Sequence, residues 1–119
     1  MPKTILIVDD EPNVRAGLVD ILQELGYSIV EAENGQEAIE KARAIKPDLV
    51  LLDTSMPGMD GIEICRQIKQ VEKISTRVIV YTAKLTAIDA VKARRNGTDD
   101  FCVKGENPEH LLKAIKTLI

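Results

Sequence analysis

Aromatic residues make up only 3% of this chain and tryptophan is absent, so any core must be packed from aliphatic side chains. Cysteine occurs twice, at Cys65 and Cys102, and histidine once, at His110. Two lone cysteines among apolar neighbours give no disulfide framework, and they read as small buried hydrophobes. His110 has no second His or Cys at ligand spacing and reads as a solvated helix residue. No apolar run approaches the ~20 residues of a membrane span. Met1-Pro2-Lys3 passes straight into a short apolar run and a charged pair, which is not a signal-peptide pattern. Lys and Arg number 16 against 19 Asp and Glu, and the basic residues are spread out, so no nucleic-acid footprint forms. Glycine loops of the Walker or dinucleotide kind are also missing. These absences leave one soluble cytoplasmic domain over residues 1–119, long enough to bury a single core.

What is present is alternation. Ile5-Leu6-Ile7-Val8, Leu49-Val50-Leu51-Leu52 and Val78-Ile79-Val80-Tyr81 are continuous apolar runs, the pattern of strands buried on both faces of a parallel sheet. Ser28-Ile29-Val30-Glu31-Ala32 is more mixed, as an edge strand would be, and Phe101-Cys102-Val103 supplies a fifth run. Helical patterns lie between them. Val14, Leu18, Ile21, Leu22 and Leu25 fall on one amphipathic face, with Pro12 suited to the first turn and Gly26 to the stop. Asn34-Gly35 precedes a second helix that places Ala38, Ile39 and Ala42 inward and closes before Pro47. Asp60-Gly61 opens a third, with Ile62, Cys65 and Ile68 inward. Thr86 can cap a fourth, running to about Arg95 before Asn96-Gly97, and Asn107-Pro108 starts a fifth. The pattern predicts an α/β fold, a (βα)5 doubly wound sheet of five parallel strands in the flavodoxin-like order 2-1-3-4-5.

Four of the five runs end in a polar group. The first enters Asp9-Asp10, the third Asp53, the fourth Thr82 and the fifth Lys104. In a parallel sheet of that order these ends share one edge, where open α/β sheets bind ligands. Asp9-Asp10-Glu11-Pro12 alone could be no more than a helix cap with acidic first-turn residues. Asp53 alone could be a turn residue, Thr82 a cap and Lys104 a solvated charge. Their convergence in one alternating domain favours a site. A carboxylate can accept a phosphoryl group to give an acyl phosphate, a transfer that depends on positioning and charge neutralisation. Three carboxylates raise one another's pKa values unless a cation joins them, and a hard divalent ion such as Mg2+ suits an oxygen donor set. Mg2+ and Lys104 together would balance the charge of Asp9, Asp10 and Asp53.

The chain resembles a response-regulator receiver domain of two-component signalling, similar to the single-domain chemotaxis type. The motifs that carry the likeness are Val8-Asp9-Asp10, Leu52-Asp53 with Met56-Pro57-Gly58-Met59-Asp60-Gly61, Thr82-Ala83, and Asp99-Asp100-Phe101-Cys102-Val103-Lys104. The resemblance implies that Asp53 is phosphorylated by a histidine kinase or phosphotransfer protein. It implies that Asp10, Asp53 and the backbone carbonyl of Ser55 ligate Mg2+, with Asp9 acting largely through water, and that Thr82 and Lys104 grip the phosphoryl oxygens. It further implies a switch: Thr82 moves toward the phosphoryl group, Phe101 turns inward, and the fourth helix, fifth strand and fifth helix present an altered face to an effector. Such a protein is a phosphoacceptor with at most slow self-dephosphorylation, not an enzyme in the ordinary sense. Two departures stand out. Phe101 has no hydroxyl where many relatives carry Tyr, and Gly105 follows Lys104 where receivers usually carry Pro. A cis bond before a non-proline residue costs ~2.5–4 kcal/mol, so a trans, looser loop is expected there. Lys84, two residues beyond Thr82, is expected to lie over the phosphoryl group and slow its hydrolysis.

Two other classes compete. A pseudo-receiver would keep the fold as a constitutive protein-interaction module, but it has little reason to concentrate uncompensated carboxylates. A phosphatase of the haloacid-dehalogenase kind would want a second Asp two residues after the nucleophile, where this chain has Ser55.

Overall fold

A computed structural model describes residues 2–53, 61–83, 87–104 and 108–119, the side chains of 87–90 excepted. Five strands form one parallel sheet: β1 (Thr4–Val8), β2 (Ser28–Ala32), β3 (Leu49–Leu52), β4 (Arg77–Thr82) and β5 (Asp100–Val103). Their order is β2-β1-β3-β4-β5, as the sequence pattern predicts. Helices α1 (Pro12–Glu24), α2 (Gly35–Ile45), α3 (Gly61–Arg66), α4 (Ala87–Arg95) and α5 (Pro108–Leu118) alternate with them.

Alternation along each strand divides the core. Ile5, Ile7, Leu49, Leu51 and Ile79 face Leu18 and Leu22 of α1 and Leu111 and Ile115 of α5. Leu6, Val8, Val50, Leu52 and Val78 face Ala38 and Ala42 of α2 and Ile64 and Cys65 of α3. Both faces of the central strands are therefore covered, which is why those runs are apolar without interruption. The mixed run does form an edge, where β2 pairs with β1 alone.

The helix boundaries follow the local chemistry. Asn34 caps α2 by accepting the Glu37 N–H at 2.8 Å, and Lys46 ends it in the left-handed region at φ 52°, directly before Pro47. The α3 helix runs on as a π-helical turn over Gln67–Val71, which the sequence pattern does not announce. One expectation is corrected. Ile21 and Leu25 lie on the predicted inner face of α1, yet they are 40% and 48% exposed. Leu18 and Leu22 alone are buried on that helix, so the contact with the sheet is narrower than the apolar stripe. Ala38, Ile39, Ala42, Ile62, Cys65 and Ile68 are buried as expected. Cys65 and Cys102 are both buried thiols, and His110 is exposed on α5.

Candidate functional site

The ladder of the sheet continues one residue beyond its strands, and this places the polar ends. The Asp9 N–H donates to Ala32 O at 3.1 Å, and the Asp53 N–H to Val8 O at 3.0 Å. The Lys104 N–H donates to Thr82 O at 2.7 Å. Val8 and Leu52 are register partners, so Asp9 and Asp53 emerge side by side. One carboxylate oxygen each from Asp9, Asp10 and Asp53 falls within 4.8 Å of the others. Asp9 and Asp53 are buried and Asp10 is exposed.

Lys104 reaches across this cluster. Its Nζ lies 2.7 Å from Asp9 Oδ2 and 3.2 Å from Asp53 Oδ2. Burial pushes the ammonium pKa down, but the hydrogen bond to Asp9 and the charges of Asp53 and Asp9 outweigh it, and the pKa stands above the ordinary lysine value. The Tyr81 ring flanks the ammonium at 5.8 Å from its centroid. Burial raises the Tyr81 phenol against the opposing pull of Lys104, so Tyr81 is neutral at physiological pH.

Asp9 serves two structures. Its Oδ1 accepts the Glu11 N–H at 2.9 Å while Oδ2 takes Lys104. Glu11, at the N-cap of α1, makes no side-chain cap bond of its own. Asp9 thus accepts from the N-cap residue and not from the first turn, which holds no acidic residue, so the helix-cap reading of Asp9-Asp10-Glu11-Pro12 is corrected and the carboxylate cluster stands. Thr82 is buried at the end of β4, with its carbonyl holding the lysine. Phe101 is half-buried against Ile62, Val80 and Ala93, and the Arg94 guanidinium lies over its ring at 4.9 Å.

The structure thus brings Asp9, Asp10, Asp53 and Lys104 together and sets Thr82 on the strand end beside the lysine. Ser55, Lys84, the Thr86 cap, the Met56–Asp60 part of the loop motif and Gly105 lie outside the described residues. The sequence reading missed Arg15. Its NH1 donates to the backbone carbonyl of Asp9 at 2.5 Å and its Nε to Glu31 at 3.2 Å. A cation in the first turn of a helix, where the macrodipole disfavours it, was the available signal.

The chain matches the family described as response regulator receiver domain over residues 5–116. It is 46% identical over 115 residues to the transcriptional regulatory protein ResD of Bacillus subtilis, across 97% of this chain and 47% of that protein. Protein PilH of Pseudomonas aeruginosa is 39% identical over 116 residues, with 97% and 96% covered. Among solved structures, the response regulator TrrA of Thermotoga maritima, in complex with Mg(2+)-BeF, superposes with a TM-score of 0.88 at 39% identity, covering 98% of this chain and 99% of that one. Against ResD and several other curated relatives, the chain spans about half of their length. No described helix is long and apolar enough to cross a membrane.

Proposed function

Because the chain belongs to the response-regulator receiver domain family, we propose that it is a phosphorylation-driven switch in the cytoplasm, with Asp53 as the phosphoacceptor. The carrying observation is the Asp53 carboxylate, buried at the strand edge within reach of two further carboxylates and one ammonium. In the transfer, an Asp53 oxygen attacks the phosphorus of a phosphohistidine on a histidine kinase or phosphotransfer protein. The P–N bond breaks, the imidazole leaves with the electron pair, and an acyl phosphate remains. Lys104 already bridges Asp9 and Asp53 and needs little movement to meet a phosphoryl oxygen.

The donor set fits Mg2+. All three side chains offer hard carboxylate oxygens at one locus. Asp10 and Asp53 would bind the ion directly, as the likeness to receivers implies, and Asp9, whose oxygens accept from the Glu11 N–H and the lysine, would act largely through water. Held by Asp10 and Asp53, Mg2+ would supply the positive charge that three carboxylates and one lysine lack, offsetting the charge of an incoming phosphoryl group. Once Asp53 is modified, Thr82 donates to the new group and Phe101 repacks. A population shift follows in the α4-β5-α5 face offered to an effector. The protein is a phosphoacceptor with slow self-dephosphorylation rather than a turnover enzyme.

Incubation with Mg2+ and acetyl phosphate tests this by intact mass. One phosphoryl increment is expected, abolished by chelator and by Asp53→Asn. Labelling that persists in Asp53→Asn overturns the assignment. No labelling and no Mg2+ binding at millimolar concentration would identify a constitutive interaction module instead.

A further inference from the structure

We infer that Arg15 is a positioning residue for the metal-binding turn, holding the Asp9-Asp10 peptide from behind through the Asp9 carbonyl. The inference rests on the proposed Mg2+ site. Arg15 is the fourth residue of α1, and its side chain is only 14% exposed. A cation so placed gains nothing from the helix macrodipole, which is positive at that end. Its contacts show what it does there. NH1 donates to Asp9 O at 2.5 Å and Nε to Glu31 Oε1 at 3.2 Å, so the planar fork ties the edge strand β2 to the turn leaving β1.

The effect on Asp9 is complete fixation. Its N–H is held by Ala32 O, its carbonyl by Arg15, and its carboxylate by Glu11 N–H and Lys104. That carbonyl belongs to the peptide that carries the Asp10 nitrogen. With it fixed, the exposed Asp10 carboxylate starts from a defined backbone direction rather than from a swivelling peptide. Preorganisation of this kind raises ligand affinity because less ordering remains to be done on binding.

The electrostatic expectation runs the other way, which makes the test decisive. Removing a cation beside an acidic cluster should by itself strengthen Mg2+ binding. A positioning role predicts weaker binding. Mg2+ titrations followed by backbone amide shifts of the full chain, with melting temperature in chelator as the folding control, separate the two. Arg15→Ala and Arg15→Met are expected to raise the Mg2+ Kd at least threefold, with Arg15→Lys between them and the unaltered protein. The methionine variant keeps the buried stem volume and answers the question if the alanine variant does not fold. A Kd equal to or lower than that of the unaltered protein in Arg15→Met overturns the inference while leaving the metal site intact. Absence of Mg2+ binding in the unaltered protein would instead remove the metal site on which it rests.

Discussion

The two edges of the sheet use aspartate in opposite ways. At the amino ends of the strands, Asp48 and Asp99 turn their carboxylates onto the neighbouring strand. Asp48 donates its N–H to Thr4 O at 2.9 Å and accepts the Thr4 N–H at 2.8 Å. Asp99 donates to Val78 O at 2.9 Å and accepts the Val78 N–H at 2.8 Å. Each makes a reciprocal pair that extends the ladder. Lys69 adds a charge at 2.8 Å from Asp99, and Arg77 another at 3.4 Å. At the carboxyl ends, Asp9 and Asp53 also extend the ladder, but with their N–H groups alone. Their carboxylates turn toward each other and toward Asp10, with Lys104 as the bridging cation. One edge satisfies its acids internally and gains stability. The other gathers three carboxylates around one ammonium.

The comparison breaks most visibly at Asp99. Asp99→Ala strands the Val78 N–H and takes the carboxylate from the half-buried Lys69 ammonium, which keeps its bond to Thr76 O at 2.9 Å, while the exposed Arg77 contributes little. A loss of about 2–3 kcal/mol is expected, read as a lower denaturant midpoint at unchanged slope. The pH dependence gives a second check. Burial works to raise the Asp99 carboxyl, yet the bonds from Lys69 and Val78 hold its pKa below the ordinary carboxylate value. A depressed folded-state pKa contributes stability above the unfolded value of about 3.8, lost as pH falls through the folded one. The gap between the unaltered protein and Asp99→Asn should therefore narrow only below about pH 4. A gap that stays constant into strong acid would mean the charge on Asp99 is not what stabilises this edge.

At the other edge the sign should reverse. Asp10→Asn removes one of three clustered charges without touching the Lys104 bridge. Without metal this relieves repulsion of about 1 kcal/mol, or ~4 °C in melting temperature for a domain of this size. The same substitution in saturating Mg2+ should lower the melting temperature, because a ligand is lost. An aspartate-to-asparagine change that destabilises equally in chelator and in Mg2+ would erase the distinction between the edges.

Most of the carboxyl edge was legible because it rests on strand identity and order alone. Continuous apolar runs mark buried parallel strands, and the residue that follows each run lands on the same edge whatever the helices do. The opposite edge was less legible. Lys69 and Asp99 meet across 30 positions, through a π-helical turn whose geometry no local spacing encodes. Arg15 was missed because one of its partners is a backbone carbonyl, which every residue has, and the other, Glu31, lies 16 positions away on the edge strand. Periodicity located the inner face of α1 but not its width, so Ile21 and Leu25 were misplaced. The resemblance to receivers ranked the site residues, and geometry then showed Lys104 held by two carboxylates although Gly105 follows it.

The smallest expected effect concerns the link between the edges, at Phe101. The ring lies on β5, between Asp99 near one end of the strand and Lys104 beyond the other. On its inner side it meets Ile62, Val80 and Ala93, and over its face lies Arg94, 4.9 Å from the centroid. Without a hydroxyl, Phe101 has no hydrogen bond to define one position, so packing and this guanidinium set its preference. An exposed cation–π contact is worth ~0.5 kcal/mol, enough to change a two-state ratio about twofold. A double-mutant cycle of Arg94→Ala with Phe101→Leu should return a coupling near that size in the unphosphorylated protein. It should return none after acetyl phosphate labelling, if the ring then leaves the guanidinium. Equal coupling in both states would show that Arg94 travels with the ring and biases neither packing.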